Sequence, residues 1–262
     1  MLYGFSLFRA IGSPPMPSLP LHRQTDKPAF TLVELMLVIA IIAILVSITI
    51  PALGNSRETA RRIKCLANLK SMGTGVQAYM NDSKDLLPRV RPIHDPNGNT
   101  NDPSLLDIMV DYLSIPAPER SDPNDPNSPW THVADVLICP SDRVGKDPAT
   151  NFEPLWRSSG FSYEYVAGEA MVLLEQLTVP DPQMGVTTTY RQPQWRDLPV
   201  LIDNDDWHVL RKGGTPRNAL YFGDWHADWA APIIKIDSQD PRLLPLVCDM
   251  TRFGGLRFPG CD

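Results

Sequence analysis

Residues 27–53 read KPAFTLVELMLVIAIIAILVSITIPAL, and from Leu35 to Leu53 no side chain is charged. Nineteen helical residues span roughly 28 Å, close to the ~30 Å hydrocarbon core of a bilayer. A helix that packs on a soluble core keeps a polar stripe, and this one has none. A secretory signal has a shorter apolar region, about 7–15 residues, followed by a small-residue cleavage site. Here the run passes without a loop into an amphipathic pattern, so a cut beyond residue 50 would divide a helix. The stretch predicts one membrane-spanning helix.

That pattern is NSRETARRIKCLANLKSMGTGVQAYM, residues 55–80. Ile63, Leu66, Leu69, Met72, Val76 and Tyr79 recur at a 3–4 spacing and mark an apolar face, with Arg57, Arg61, Lys64 and Lys70 opposite. One helix over about 30–82 follows, with Pro51 expected to bend it by removing a backbone hydrogen bond. Gly73, Gly75 and Ala78 make a G-x-G-x-x-A string, but it follows a helix where a dinucleotide site needs a strand. Close backbone packing is the better reading of these glycines.

Beyond residue 82 the chain changes character. It holds 27 prolines in 262 residues, about twice the usual ~5%. Runs such as DPNGNTNDP and SDPNDPNSP predict turns. Ser104–Leu113 reads as a short helix. Ala134–Cys139, Phe161–Val166, Pro199–Asp203, Ala219–Phe222 and Ile233–Ile236 read as strands. They are short and lack evident helical crossovers, which favours an antiparallel sheet. The fold class is α+β: a long N-terminal helix packed on a small antiparallel sheet with loop-rich insertions. A net charge of −6 gives no basic footprint for nucleic acid.

The phrase around the membrane span resembles the prepilin processing and methylation motif. Lys27, the small Ala29, then Phe30, Thr31, Leu32, Val33 and Glu34, then the apolar run carry the resemblance, and Pro51 falls where such proteins often bend. Ala29 stands where glycine is usual. The resemblance implies a leader over residues 1–29, a transmembrane helix over 30–54, its amphipathic continuation over 55–82 and an exported head over 83–262. If Met16 is the start, the leader is fourteen residues long. A prepilin peptidase would cut between Ala29 and Phe30, and the new Phe30 amine would be methylated. Glu34 would pair with that amine on a neighbouring copy. Unpaired in lipid, a carboxylate costs something like 2.5 kcal/mol or more. The plainer reading is a first-turn acid favoured by the helix dipole. Arg57, Arg61, Arg62 and Lys64 follow the span and by the positive-inside rule would keep the head cytoplasmic. The processing motif specifies the reverse, a cytoplasmic N-terminus.

Further phrases resemble prepilin-like proteins with large heads: RRIKCLANLKSMG, LICPSDR (Cys139 to Asp142), DNDDWH (Asp203 to His208) and NALYFGDWHADW (Asn218 to Trp229). Trp225 takes the place of the hairpin glycine, so the turn must be rebuilt or Gly223 must supply it. Four cysteines without a CxxC pair exclude ribbon-type zinc sites and thioredoxin-like motifs and leave three possible pairings. The resemblance implies Cys65 with Cys139, worth ~4–5 kcal/mol, and Cys248 with Cys261, worth about 3 kcal/mol, in the chain-entropy picture.

Asp203, Asp205, Asp206, Asp224 and Asp228 are the densest carboxylates, with His208 and His226 nearby. The candidate metal set is Asp203, Asp205, Asp224 and His226, with Ca2+ as the ion oxygen-rich loops suit and zinc or iron if histidines join. No cofactor is required. The expected function is that of a structural subunit, a pseudopilin of a type II secretion-like filament, with itself, other pseudopilins or pilins, the peptidase, the assembly platform and the bilayer as partners. It would sit in the bacterial inner membrane with a periplasmic head. A type IV pilus subunit for adhesion or DNA uptake is the alternative, and a membrane-tethered metal-binding protein or enzyme using the Asp/His cluster is the rival from another class.

Overall fold

The computed structural model describes residues 30–90, 102–125, 128–143, 154–208, 217–231, 241–257, 259 and 261. The leader, Ala29 and the strand expected at Ile233–Ile236 lie outside them. Helix α1 runs Leu32–Asp82. Thr31 and Glu34 start it reciprocally: Thr31 N–H donates to Glu34 Oε2 at 3.0 Å, and Glu34 N–H donates to Thr31 Oγ1 at 3.2 Å. This is a capping box that satisfies two of the otherwise orphaned donors. The helix ends where Lys84 and Asp85 turn left-handed, at φ 52° and 66°, and Asp85 N–H closes onto Met80 O at 2.8 Å.

The chain falls into two units, residues 1–50 and 51–262. In the first, Leu32–Ile50 is long and apolar enough to cross a membrane, with mean hydropathy 2.9 and nothing covering it. In the second, α1 buries Cys65, Leu69, Met72, Val76 and Met80. The expected apolar face is thus rotated: Leu69, Met72 and Val76 are core, but Ile63 is 60% exposed and Leu66 only half-buried. Cys65 sets the rotation, because its bonded sulfur counts as apolar core.

Helix α2, Leu105–Leu113, has Ser104 as N-cap in a second capping box with Asp107. Strands β1 (Glu119–Arg120) and β2 (Trp130–His132) form a small antiparallel pair. A short turn of helix, Trp156–Ser159 (α3), precedes β3, Tyr163–Glu164. Next come α4 (Val166–Gln176) and α5 (Pro182–Tyr190), then β4 (Pro199–Asp203), β5 (Asn218–Tyr221), β6 (Ala227–Trp229) and α6 (Leu243–Phe253). Strands β3-β4-β5-β6 make one antiparallel sheet in that order. Tyr163 lies opposite Asp203, Ile202 opposite Ala219, and Ala219 opposite Asp228.

Several local expectations change. Ala134–Cys139 is not a strand; Asp135–Leu137 is a 3-10 turn. Phe161–Val166 keeps only two strand residues, because Val166 already begins α4. Strands β3 and β4 are joined by two helices, yet they pair antiparallel. Asp181 caps α5, accepting from Met184 N–H at 2.9 Å, and Pro182 stands inside its first turn, the start signal for a helix. Strands β4 and β5 are buried at every position, including the polar Asp203 and Asn218 at one end of each. Gly73 and Gly75 serve close packing. A Cβ at Gly73 would meet Leu220 at 3.0 Å, and one at Gly75 would meet Leu113 at 3.0 Å. The β5–β6 turn places both Gly223 (φ 100°) and Trp225 (φ 53°) in the left-handed region, so tryptophan does adopt the glycine conformation there. Its ring lies 5.4 Å from Phe222, and its edge is among the atoms a Gly73 Cβ would touch.

Candidate functional site

Two places concentrate chemistry, one in each unit. At the start of α1, Glu34 is the lone acid of the exposed apolar segment Leu32–Ile50. Its Oε2 accepts both from Thr31 N–H and from the Thr31 hydroxyl, at 3.0 and 2.7 Å. In the single chain Glu34 thus caps its own helix. Phe30, directly before the cap, is exposed.

The second place is where α1 meets the open end of the sheet. Glu58, Arg62 and Cys65 stand at i, i+4 and i+7 on α1 and so share one helix face. Cys65 is bonded to Cys139 with Cα atoms 5.0 Å apart, inside the usual range. Asn68, one turn on, donates to Asp135 O at 2.9 Å and Ile138 O at 2.8 Å, pinning the same loop. Beyond it, Asp142 folds the CPSD segment by accepting from Leu155 N–H, Trp156 N–H and the Ser162 hydroxyl at 3.0, 3.0 and 2.7 Å. Burial pushes its carboxyl above the usual range, against the pull of those three bonds. At the other end of the chain Cys248 is bonded to Cys261, with Cα atoms 5.3 Å apart.

His208 sits at the centre of the second place. Its Nδ1 lies 3.1 Å from Glu58 Oε1, its Nε2 3.3 Å from Asp203 Oδ2 and 3.6 Å from Cys139 Sγ. Asp203 is fully buried at the end of β4, and its Oδ2 accepts from Asn218 N–H at 2.6 Å and Asn218 Nδ2 at 2.8 Å. Arg62 closes the group: it donates to Asn218 Oδ1 and Asp228 Oδ1, both at 3.0 Å, and lies 3.7 Å over the Trp229 ring. Two of the basic residues after the membrane span are thus engaged with acids, Arg62 with Asp228 and Arg61 with Glu58 at 3.5 Å.

Burial alone would lower the His208 pKa, but the hydrogen bonds and charges of Asp203 and then Glu58 outweigh it and hold it above the ordinary histidine value. A raised histidine pKa stabilises the fold fully below its unfolded value, ~6.5, and that contribution fades as pH rises through the folded one. We expect the thermal midpoint of the full chain in detergent to fall as pH is raised above neutrality, and His208→Gln to flatten that slope. Equal slopes in both proteins would remove His208 as the cause.

The four residues singled out as metal ligands do not converge. Asp203 meets Asn218 and His208 through Oδ2, and not the other three. Asp205 is exposed and accepts from Asp206 N–H at 2.7 Å. Asp224 and His226 form their own exposed pair at 2.6 Å, and the His226 ring stacks on Tyr221. Among the described residues, the one group of three or more possible ligands within reach of a single ion is Cys65, Cys139, Asp203 and His208. Glu58 and Asn218 were not singled out from sequence, although Glu58 shares the helical register of Cys65.

The apolar helix behind a Thr31/Glu34 cap, followed by an amphipathic half on an antiparallel sheet, defines a prepilin-like protein, anchored in a membrane by that helix. The prokaryotic N-terminal methylation motif matches residues 26–50. The family described as "Protein of unknown function (DUF1559)" matches residues 54–192, just over half of the chain, and the chain belongs to that family. Over 69 residues it is 41% identical to "Competence protein ComGC" of Halalkalibacterium halodurans, covering 26% of this chain and 64% of that protein. The match thus spans slightly less than two thirds of its relative's length. No solved structure matches the chain.

Proposed function

We propose that this protein is a structural subunit of a type II secretion-like filament. A prepilin peptidase cuts between Ala29 and Phe30 while α1 holds the protein in the inner membrane with its head on the periplasmic side. The first half of α1 then moves from lipid into the filament core, where it packs on identical helices and on other pseudopilins. The observation that carries this reading is a wholly exposed apolar segment of α1, Leu32–Ile50, bearing a single acid, Glu34, at its leading end. Apolar surface of that extent must be covered by lipid or by protein. The freed Phe30 ammonium of a neighbour supplies the charge that Glu34 needs once lipid surrounds it.

The likeness to a protein named for competence favours a second reading in the same class, a type IV pilin-like subunit of a filament for DNA uptake. A deletion strain separates the two, losing exported proteins in one case and transformability in the other. Polymerisation itself is tested by shearing cells that produce the full chain with its peptidase and assembly platform. We expect the processed chain in the sedimenting filament fraction. Recovery of the processed chain solely as a detergent-soluble monomer would contradict it.

A further inference from the structure

The buried group beneath α1 has more donor atoms than its fold requires. Cys65 Sγ, Cys139 Sγ, an Asp203 oxygen and a His208 ring nitrogen all lie within 4.8 Å of one another, and all four residues are buried. Asp203 is fully buried, yet its Oδ1 has no hydrogen-bond partner, and the hydroxyl of Tyr163, its cross-strand neighbour, has none either. An unpaired buried carboxylate oxygen is costly, which marks a place built to receive something.

The outer partners are those of a metal centre. His208 Nδ1 faces the Glu58 carboxylate at 3.1 Å, leaving Nε2 toward Cys139 Sγ and Asp203. Metal-binding histidines characteristically give their second nitrogen to a carboxylate, which fixes the tautomer and the ring plane. Asp203 is itself held by two donors from Asn218. Two thiolates, one imidazole and one carboxylate form a tetrahedral set that suits zinc, with ligand distances of about 2.0–2.3 Å.

We propose that the reduced chain binds one zinc ion through Cys65, Cys139, Asp203 and His208, with Glu58 as the outer carboxylate that orients His208. The disulfide and the metal exclude each other. The Cys65–Cys139 bond is first reduced to two thiols: a dithiol gives the two electrons and two protons and becomes a disulfide, or a phosphine gives the electrons and takes oxygen from water, which supplies the protons. Zinc then displaces the two thiol protons, and any proton on His208 Nε2, as the sulfurs part and the ligands contract around the ion. Either state joins α1 to the Cys139 loop, so the head stays closed before oxidation as well as after it.

The test uses the full chain in detergent carrying Cys248→Ser and Cys261→Ser, so that only two thiols remain. Reduced with a phosphine and titrated with Co2+, it should take up one ion per chain, with sulfur-to-cobalt charge-transfer absorption and intense tetrahedral visible bands, and one equivalent of Zn2+ should abolish both. The oxidised protein should show neither. Glu58→Gln should weaken binding about 10–100-fold, and Asp203→Asn should weaken binding and shift the visible bands as water takes the fourth position. X-ray absorption of the zinc form, with all four ligands intact, should show two sulfurs at about 2.3 Å and two nitrogen or oxygen atoms at about 2.0 Å. A shell without two sulfurs, equal uptake by the oxidised protein, or unchanged affinity in Glu58→Gln would overturn the proposal.

Discussion

Replacing Cys65 and Cys139 together by serine should destabilise the head by ~4–5 kcal/mol in the chain-entropy picture. The bond closes a sequence separation of 74 residues, whereas Cys248–Cys261 closes one of 13. The shorter loop accounts for about 3 kcal/mol by the same reasoning, so the two double variants must rank in that order. Packing adds to the difference. Cys65 and Cys139 have no exposed surface, and each serine would bury a hydroxyl that needs a partner. Domains are marginally stable by about 5–15 kcal/mol, so this loss is a large part of the whole. Denaturant unfolding of the full chain in detergent reads it. Equal midpoints for the two double variants would mean that the loop at Cys139 is held mainly by Asn68 and not by the sulfur bridge.

Glu34→Val should abolish filament assembly while leaving the protein in the membrane. The substitution breaks the capping box with Thr31, which is worth about 1 kcal/mol; a helix of 51 residues survives that. It also removes a carboxylate whose presence in lipid is unfavourable by something like 2.5–3.5 kcal/mol, so insertion improves. In the proposed filament the variant lacks the carboxylate that would accept a neighbour's ammonium, and a buried charge left without its partner costs about 3–5 kcal/mol at each contact. Membrane fractionation and the sheared-filament fraction read the two effects separately. Assembly of the valine variant at the level of the parent protein would show that Glu34 is only a helix cap.

The long helix was legible because charge-free length and a 3–4 apolar pattern are strong local signals. Strand β4 coincides with the expected Pro199–Asp203, and β5 is displaced by one residue from the expected Ala219–Phe222. Each has a short apolar run, Pro199–Ile202 and Ala219–Tyr221, buried on either face. Helices α4, α5 and α6 were missed. Helix α5 has three threonines and a glycine in nine residues, poor helix formers stabilised here by packing: Thr187, Thr189 and Gly185 are buried. The Gly185 position is so close to Met250 O of α6 that a Cβ there would collide with it. Propensity gave way to tertiary contact.

The site was only half legible, for a similar reason. A dense run of aspartates draws attention to Asp205 and Asp224, but density along the chain is not convergence in space. Asp224 and His226 pair with each other on an exposed turn, while His208 is carried inward to Glu58, 150 residues earlier. No local pattern encodes that separation. The face shared by Glu58, Arg62 and Cys65 on α1 was the available hint, and reading Cys65 as part of the buried stripe would have brought the other two into view.

In the proposed reading α1 is the processed, assembling helix of a prepilin-like subunit. Intact-mass and N-terminal peptide mass spectrometry of the chain from cells containing its peptidase tests it most directly. We expect a mature chain beginning at Phe30 with a methylated amine. A full-length soluble chain with its leader attached, or one that begins beyond residue 50, would contradict it.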